Sequence, residues 1–183
     1  MTDPITEDLV RTFDEVVDRL VARSAGLGVE EYLWEPVEGC MTVRPVAGAF
    51  RADPLGPDDP DPAPFTTIAW RMWHIGADCL RGYLRFFEGE APDPDPLAWP
   101  GTPDAGVQAL TADWARLRTR FTGLGDAGLM RPMGDLGGHF GAETYLKLGL
   151  HALDETAHHG AEIGVIRDLY RQNFGETPAS TKT

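Results

Sequence analysis

Residues 151–160, HALDETAHHG, place three of the chain's five histidines and two carboxylates within ten residues, inside a stretch whose apolar residues recur at helical spacing. At about 100° per residue, Leu148, Ala152, Ile163, Ile166 and Tyr170 share one arc, which defines an inward face. Glu155 and His159 fall in that arc. His151 and His158 lie about a quarter turn to one side, and Asp154 lies further round. An ionised Glu turned inward is costly unless a cation or a proton compensates it. Two arrangements would do so. One is an ion pair with protonated His159, or a bond to an Arg or Tyr of another helix. The other is a shared divalent metal, because an i, i+4 pair brings two donor atoms to one ion. The second arrangement needs a third ligand from elsewhere.

Two further histidines are available, His139 in a glycine-rich segment and His74 in another helical stretch. On the wheel of that stretch His74 shares a ridge with Thr67, Arg71, Asp78 and Arg85, roughly opposite the apolar mean. His74 is therefore either solvated or turned toward a polar pocket, and spacing does not choose. Arg71, Asp78 and Arg85 read either as surface charges in mutual salt bridges or as contacts to a polar substrate. Cys79 falls about 140° from His74 and is badly placed to act with it. Cys40 and Cys79 lack metal-type spacing and read as reduced thiols.

Four helical segments must position these groups. Asp3 as a cap and Pro4 at the first helical position open a segment carrying Leu9, Phe13, Val16, Val17, Leu20 and Val21, stopped by Gly26 and Gly28. The stretch EYLWEPVEGCMTVRP fits neither a helix nor an alternating strand, and reads as an extended connection anchored by Trp34. Thr66 and Thr67 offer caps for a second segment running to Gly89. A third carries Val107, Leu110, Trp114, Leu117 and Phe121, and the fourth runs from about Thr144 to about Tyr170. Residues 123–141 are rich in glycine and turns, and residues 174–183 read as a frayed tail. Pro/Asp-rich stretches at 39–65 and 89–104 are too long for tight turns, so they either cross the bundle or shape a pocket mouth. The expectation is one domain over residues 1–183, all-α, a four-helix bundle with long Pro-rich connections.

With 16 basic against 29 acidic residues and a net charge of -13, the surface repels a phosphate backbone, which disfavours nucleic-acid binding. No stretch approaches a membrane span, and the first residues lack a signal-peptide pattern, so a cytoplasmic location is expected. Trp73, Leu80 and Phe87 fall on the outer side of the second helix, where they would either form a homodimer interface or pack under the Pro-rich loops.

At TTIAWRMWHIG in the second helix and ETAHHGAEI in the fourth, the sequence resembles the DinB-like superfamily of four-helix-bundle metalloproteins. That superfamily includes the mycothiol-dependent maleylpyruvate isomerase group and thiol S-transferase-like proteins. EYLWEPVEGCMTVRP is also similar to the corresponding segment of many members. The resemblance implies a metal held by His74, Glu155 and His159. Many members have His at the position of Glu155, and Glu there is similar to the mycothiol-dependent isomerase pattern. It further implies a small thiol substrate, a function as a metal-dependent thiol S-transferase or isomerase, and a tendency to dimerise. Two His and one Glu suit a catalytic Zn²⁺ with open positions, while Ni²⁺, Mn²⁺ or Fe(II) fit the same donors. The competing expectation is a non-enzymatic metal-binding or stress-related interaction protein, which a deep pocket beside the metal would disfavour.

Overall fold

The apolar spacing of the first segment forms a helix, Pro4–Ser24 (α1), with Leu9, Phe13, Val16, Val17 and Leu20 all buried. The computed structural model describes residues 3–56 and 62–175. A single turn, Val29–Tyr32 (α2), follows. Strands Val43–Val46 (β1) and Ala49–Ala52 (β2) then pair antiparallel. The second long helix begins as Ile68–Trp73 (α3), continues as a π-helix over His74–Arg81 and ends in 3-10 geometry over Gly82–Phe86. Pro103–Leu129 (α4), 3-10 turns at Gly134–Phe140 and Tyr145–Phe174 (α5) complete the chain. α1 packs on α4 and α5, and the α3 helix with its π continuation packs on the same two, so α1 and the second helix face each other across the bundle. The predominantly all-α expectation holds, with one small hairpin added.

That hairpin starts at the end of the stretch expected to be a plain connection and continues beyond it. Ala47 and Gly48 both take positive φ, which matches the twist of a two-residue turn, and Gly48 removes half of its steric cost. Tyr32, fully buried, is the anchor of this region; Trp34 is half-buried, edge-on to Tyr170 at 5.4 Å and to Phe174 at 5.7 Å. The α5 helix accordingly extends to Phe174, beyond the expected end near Tyr170. Residues 176–183 of the expected tail and residues 57–61 of the first Pro/Asp loop lie outside the described residues.

Two helix ends are satisfied from a distance. Asp3 makes no side-chain cap on α1; the Asp126 carboxylate accepts from the backbone N–H of Thr6 at 2.9 Å and from its hydroxyl at 2.9 Å. Asp126 can do this because α4 does not stop at Gly123 but runs on to a kink at Gly125, whose φ of +62° only glycine adopts freely. At the other end of α1, buried Arg167 donates to the carbonyls of Arg23 and Ala25 and to Glu31 Oε1 at 3.0 Å. One guanidinium thereby ties α5, α1 and α2 together.

The outer face of the second helix is closed by the chain itself. The hairpin and the second Pro-rich stretch bridge at Arg51 and Ala98, Trp70 Nε1 donates to the Asp53 carbonyl at 2.8 Å, and Trp73 Nε1 donates to the Pro96 carbonyl at 2.9 Å. Trp73 is buried under this cover, Leu80 is buried too, and Phe87 is buried against Phe121 and Tyr145, so the apolar bulk that suggested a dimer interface is not exposed. Trp99 inserts between Gly76 of the π-helix and Tyr32, to whose hydroxyl it donates at 2.9 Å. Among the described residues, no helix is long and apolar enough to cross a membrane.

Replacing Gly76 by Ala would drive a methyl into the Trp99 ring, so it should destabilise the protein by about 1–3 kcal/mol in urea unfolding, despite alanine's better helix propensity. Gly123→Ala, which meets nothing within 4 Å, should instead raise stability by up to about 1 kcal/mol. Equal effects of the two would contradict this packing.

Asp113 of α4 is buried, and its Oδ2 has no hydrogen-bond partner. Burial pushes its carboxyl up to about 6, against the pull of Arg81 and Arg116. A raised pKa means the folded state holds the proton longer than the unfolded one. The stability this lends is present below about pH 4 and is lost as pH rises through 6. Asp113→Asn should remove that pH dependence and exceed the natural protein by about 2 kcal/mol at pH 8. A stability difference that stays constant between pH 5 and pH 8 would contradict it.

Candidate metal centre

The Thr144 side chain accepts from the Lys147 N–H at 3.1 Å and starts α5 in the register that the apolar residues require. Leu148, Ala152, Thr156, Ile163 and Ile166 are buried, and Glu155 and His159 emerge at the edge of this face, with side chains 23% and 16% exposed. The wheel placed this pair inward; the structure places it at the border, where solvent still reaches. His151 and His158 lie outside, 50% and 63% exposed.

His74 meets the pair from the second helix. The Thr67 side chain accepts from the Trp70 N–H at 3.2 Å, and the π-helix begins at His74 itself. Its widened i→i+5 turn is a feature that recurs at functional sites. The imidazole lies parallel to the Trp70 ring at 5.5 Å and edge-on to the His159 ring at 4.8 Å. Its side chain is 16% exposed, so it is turned to Glu155 and His159 rather than solvated.

The three groups converge on one atom. Glu155 Oε2 lies 3.1 Å from His74 Nε2 and 3.3 Å from His159 Nε2. Each imidazole presents its other nitrogen to a further carboxylate: His74 Nδ1 is 3.1 Å from Asp78 Oδ2, and His159 Nδ1 is 2.7 Å from Glu162 Oε2. Arg71 Nε in turn holds Glu162 Oε2 at 2.7 Å. Two of the three charged residues on the His74 ridge thus reach the histidines, Asp78 directly and Arg71 through Glu162. Arg85 does not; it is exposed, donates to the Gly82 carbonyl and lies over the Phe86 ring.

Three carboxylates around two imidazoles and one guanidinium make this pocket short of positive charge. Although burial opposes it, the Asp78 and Glu155 carboxylates hold His74 above its ordinary pKa. Burial, with help from Arg71 and His74, pulls His159 below its own. Without an added cation, His74 keeps its proton to a higher pH than a free imidazole does. The donor set also fits a metal: the Glu162 bond favours N–H at His159 Nδ1, Asp78 lies 3.1 Å from His74 Nδ1, and both Nε2 atoms face Glu155 as donors. The separations of 3.1 and 3.3 Å are close to the edge, about 3.3 Å, of a tetrahedron whose ligand bonds are about 2.0 Å. A second group, His158, His159 and Glu162, shares His159, but Glu162 is already engaged by Arg71 and His158 is exposed.

His139 is exposed and packs on Phe140, away from the centre. Cys79 is closer to the site than the wheel allows, because π geometry brings the fifth residue back toward His74. Its thiol bonds Tyr83 and feels the Glu155 charge, and burial pushes it far up. It is disqualified as a nucleophile by burial, not by angle. Glu162 is the site residue that the sequence reading missed, although its place three residues after His159 on the same helix was an available signal.

Comparison with curated proteins finds no match, and comparison with solved structures finds none either. A family model matches residues 12–163, which include His74, Glu155 and His159. Over most of its length, and across the helices that carry this centre, the chain belongs to the DinB superfamily.

Proposed function

We propose that His74 Nε2, Glu155 and His159 Nε2 hold one divalent cation, with zinc the first candidate among the ions those donors fit, and that the chain is a metal-dependent transferase or isomerase acting with a small thiol of the mycothiol type. The observation that carries the metal is the single Glu155 oxygen facing two imidazole nitrogens whose far sides are each occupied by a carboxylate. Metal binding is general in the DinB superfamily, and the match covers all three residues.

Three protein donors leave positions for water or substrate, and partial exposure of all three side chains leaves a route to them. A divalent ion there would lower the pKa of a coordinated thiol and make it a thiolate at neutral pH. The chain's own residues do the rest. Glu162 fixes the His159 tautomer, Asp78 stands as a charge partner 3.1 Å from His74 Nδ1, Arg71 pairs with Glu162, and Trp70 stacks on the His74 ring. Cys40 and Cys79 are both buried, so a thiol nucleophile has to come from a small molecule rather than the protein.

Elemental analysis of the purified chain tests the ligands. Near one equivalent of metal is expected, lost in His74→Ala and His159→Ala and kept in His158→Ala. Equal loss in the His158 and His159 variants would overturn the assignment. Glu162→Gln and Asp78→Asn should keep the fold and weaken zinc affinity by roughly 10- to 100-fold in a chelator competition. Unchanged affinity in both would remove them from the centre. For the activity, calorimetry should show a small thiol such as N-acetylcysteine binding the zinc-loaded chain and not the His159→Ala variant. Equal binding to both would leave the alternative, a non-enzymatic metal-binding protein.

A further inference from the structure

A pocket of about 440 Å³ opens beside the centre, between the 3-10 segment Gly82–Phe86, the turns Gly134–Phe140 and the first two turns of α5. Its floor is apolar, built by Phe86, Met133, Phe140 and Leu148. Arg85 and Lys147 stand at its polar side together with Glu143.

These two cations differ from most others in the chain. Arg23, Arg51, Arg81, Arg118, Arg120 and Arg167 each hold a carboxylate, as expected in so acidic a protein. Neither Arg85 nor Lys147 has a carboxylate of the described residues within ion-pair distance. Arg85 is nonetheless held in place: its guanidinium donates to the Gly82 carbonyl at 2.9 Å and lies 4.4 Å from the centre of the Phe86 ring. Two unpaired cations over an aromatic floor, opposed by one carboxylate, leave one net positive charge for a ligand.

The far wall reaches the metal centre. The Tyr83 and His151 rings stack at 5.8 Å, and His151 Nδ1 lies 3.9 Å from Glu155 Oε1, on the carboxylate that His74 and His159 share. His151 is thus a lining residue shared between this pocket and the surroundings of Glu155.

We propose that this pocket binds an organic monoanion with an aromatic or branched apolar body, a carboxylate or sulfonate, and that this molecule is the partner substrate of the metal-bound thiol. The role as partner substrate rests on the metal reading above; the binding itself does not. A polar thiol would leave the apolar floor unfilled, which is why the pocket is assigned to the second substrate.

The probe is 8-anilinonaphthalene-1-sulfonate, followed by fluorescence on the full chain, against neutral N-phenyl-1-naphthylamine, which has the same rings without the charge. Arg85→Gln and Lys147→Gln should each weaken the sulfonate by roughly five- to tenfold and leave the neutral probe within about twofold. Glu143→Gln should tighten the sulfonate by roughly threefold, a gain that a misfolded variant would not give. Sulfonate binding that ignores all three charges, a neutral probe that loses as much, or no binding at all would overturn the proposal. His159→Ala separates the two readings. Retained sulfonate affinity with normal metal content in that variant counts against the ligand assignment alone, whereas charge-independent sulfonate binding in a normally metallated natural chain counts against the pocket alone.

Discussion

One carboxylate oxygen, Glu155 Oε2, sits at hydrogen-bonding distance from the Nε2 atoms of two histidines that come from different helices. Only a proton or a cation reconciles those three atoms, because both imidazoles already have a carboxylate at Nδ1. The bundle brings these groups together from two helices. α5 presents Glu155 and His159 one turn apart, and the second helix presents His74 from a π turn backed by Trp70. Interiors are packed too tightly for either helix to slide away independently.

The second helix is held on two sides. Its inner side packs on α4 and α5, while its outer side is roofed by the hairpin and a Pro-rich stretch rather than by solvent. Trp99 enters that roof only because residue 76 is glycine. The long loops, which look like decoration, therefore fix the position of His74. Asp126 at one end of α1 and Arg167 at the other tie the remaining helices into the same frame.

Much of this was legible in the sequence where the physics is local. The 3.6-residue period found α1, α4 and α5, and it found Glu155 and His159 on one ridge of α5. The Thr67 and Thr144 caps were readable as Thr before apolar runs. The wheel failed where its own assumption failed: the π turn from His74 changes the angular step, which moved Cys79 toward the site and separated Arg85 from Asp78. The hairpin escaped because VRPV and AFRA lack alternation and are held by a two-residue Ala47–Gly48 turn and by partners far along the chain. Asp126 capping α1 and Trp73 lying under Pro96 are long-range facts that no local pattern carries.

X-ray absorption on the zinc-loaded chain tests the centre most directly, because it counts the donors around the ion. The proposed site predicts two imidazoles and oxygen donors at about 2.0–2.1 Å, with no sulfur at about 2.3 Å until a small thiol is added. Fewer than two imidazoles, or sulfur present without added thiol, would contradict a centre built on His74, Glu155 and His159.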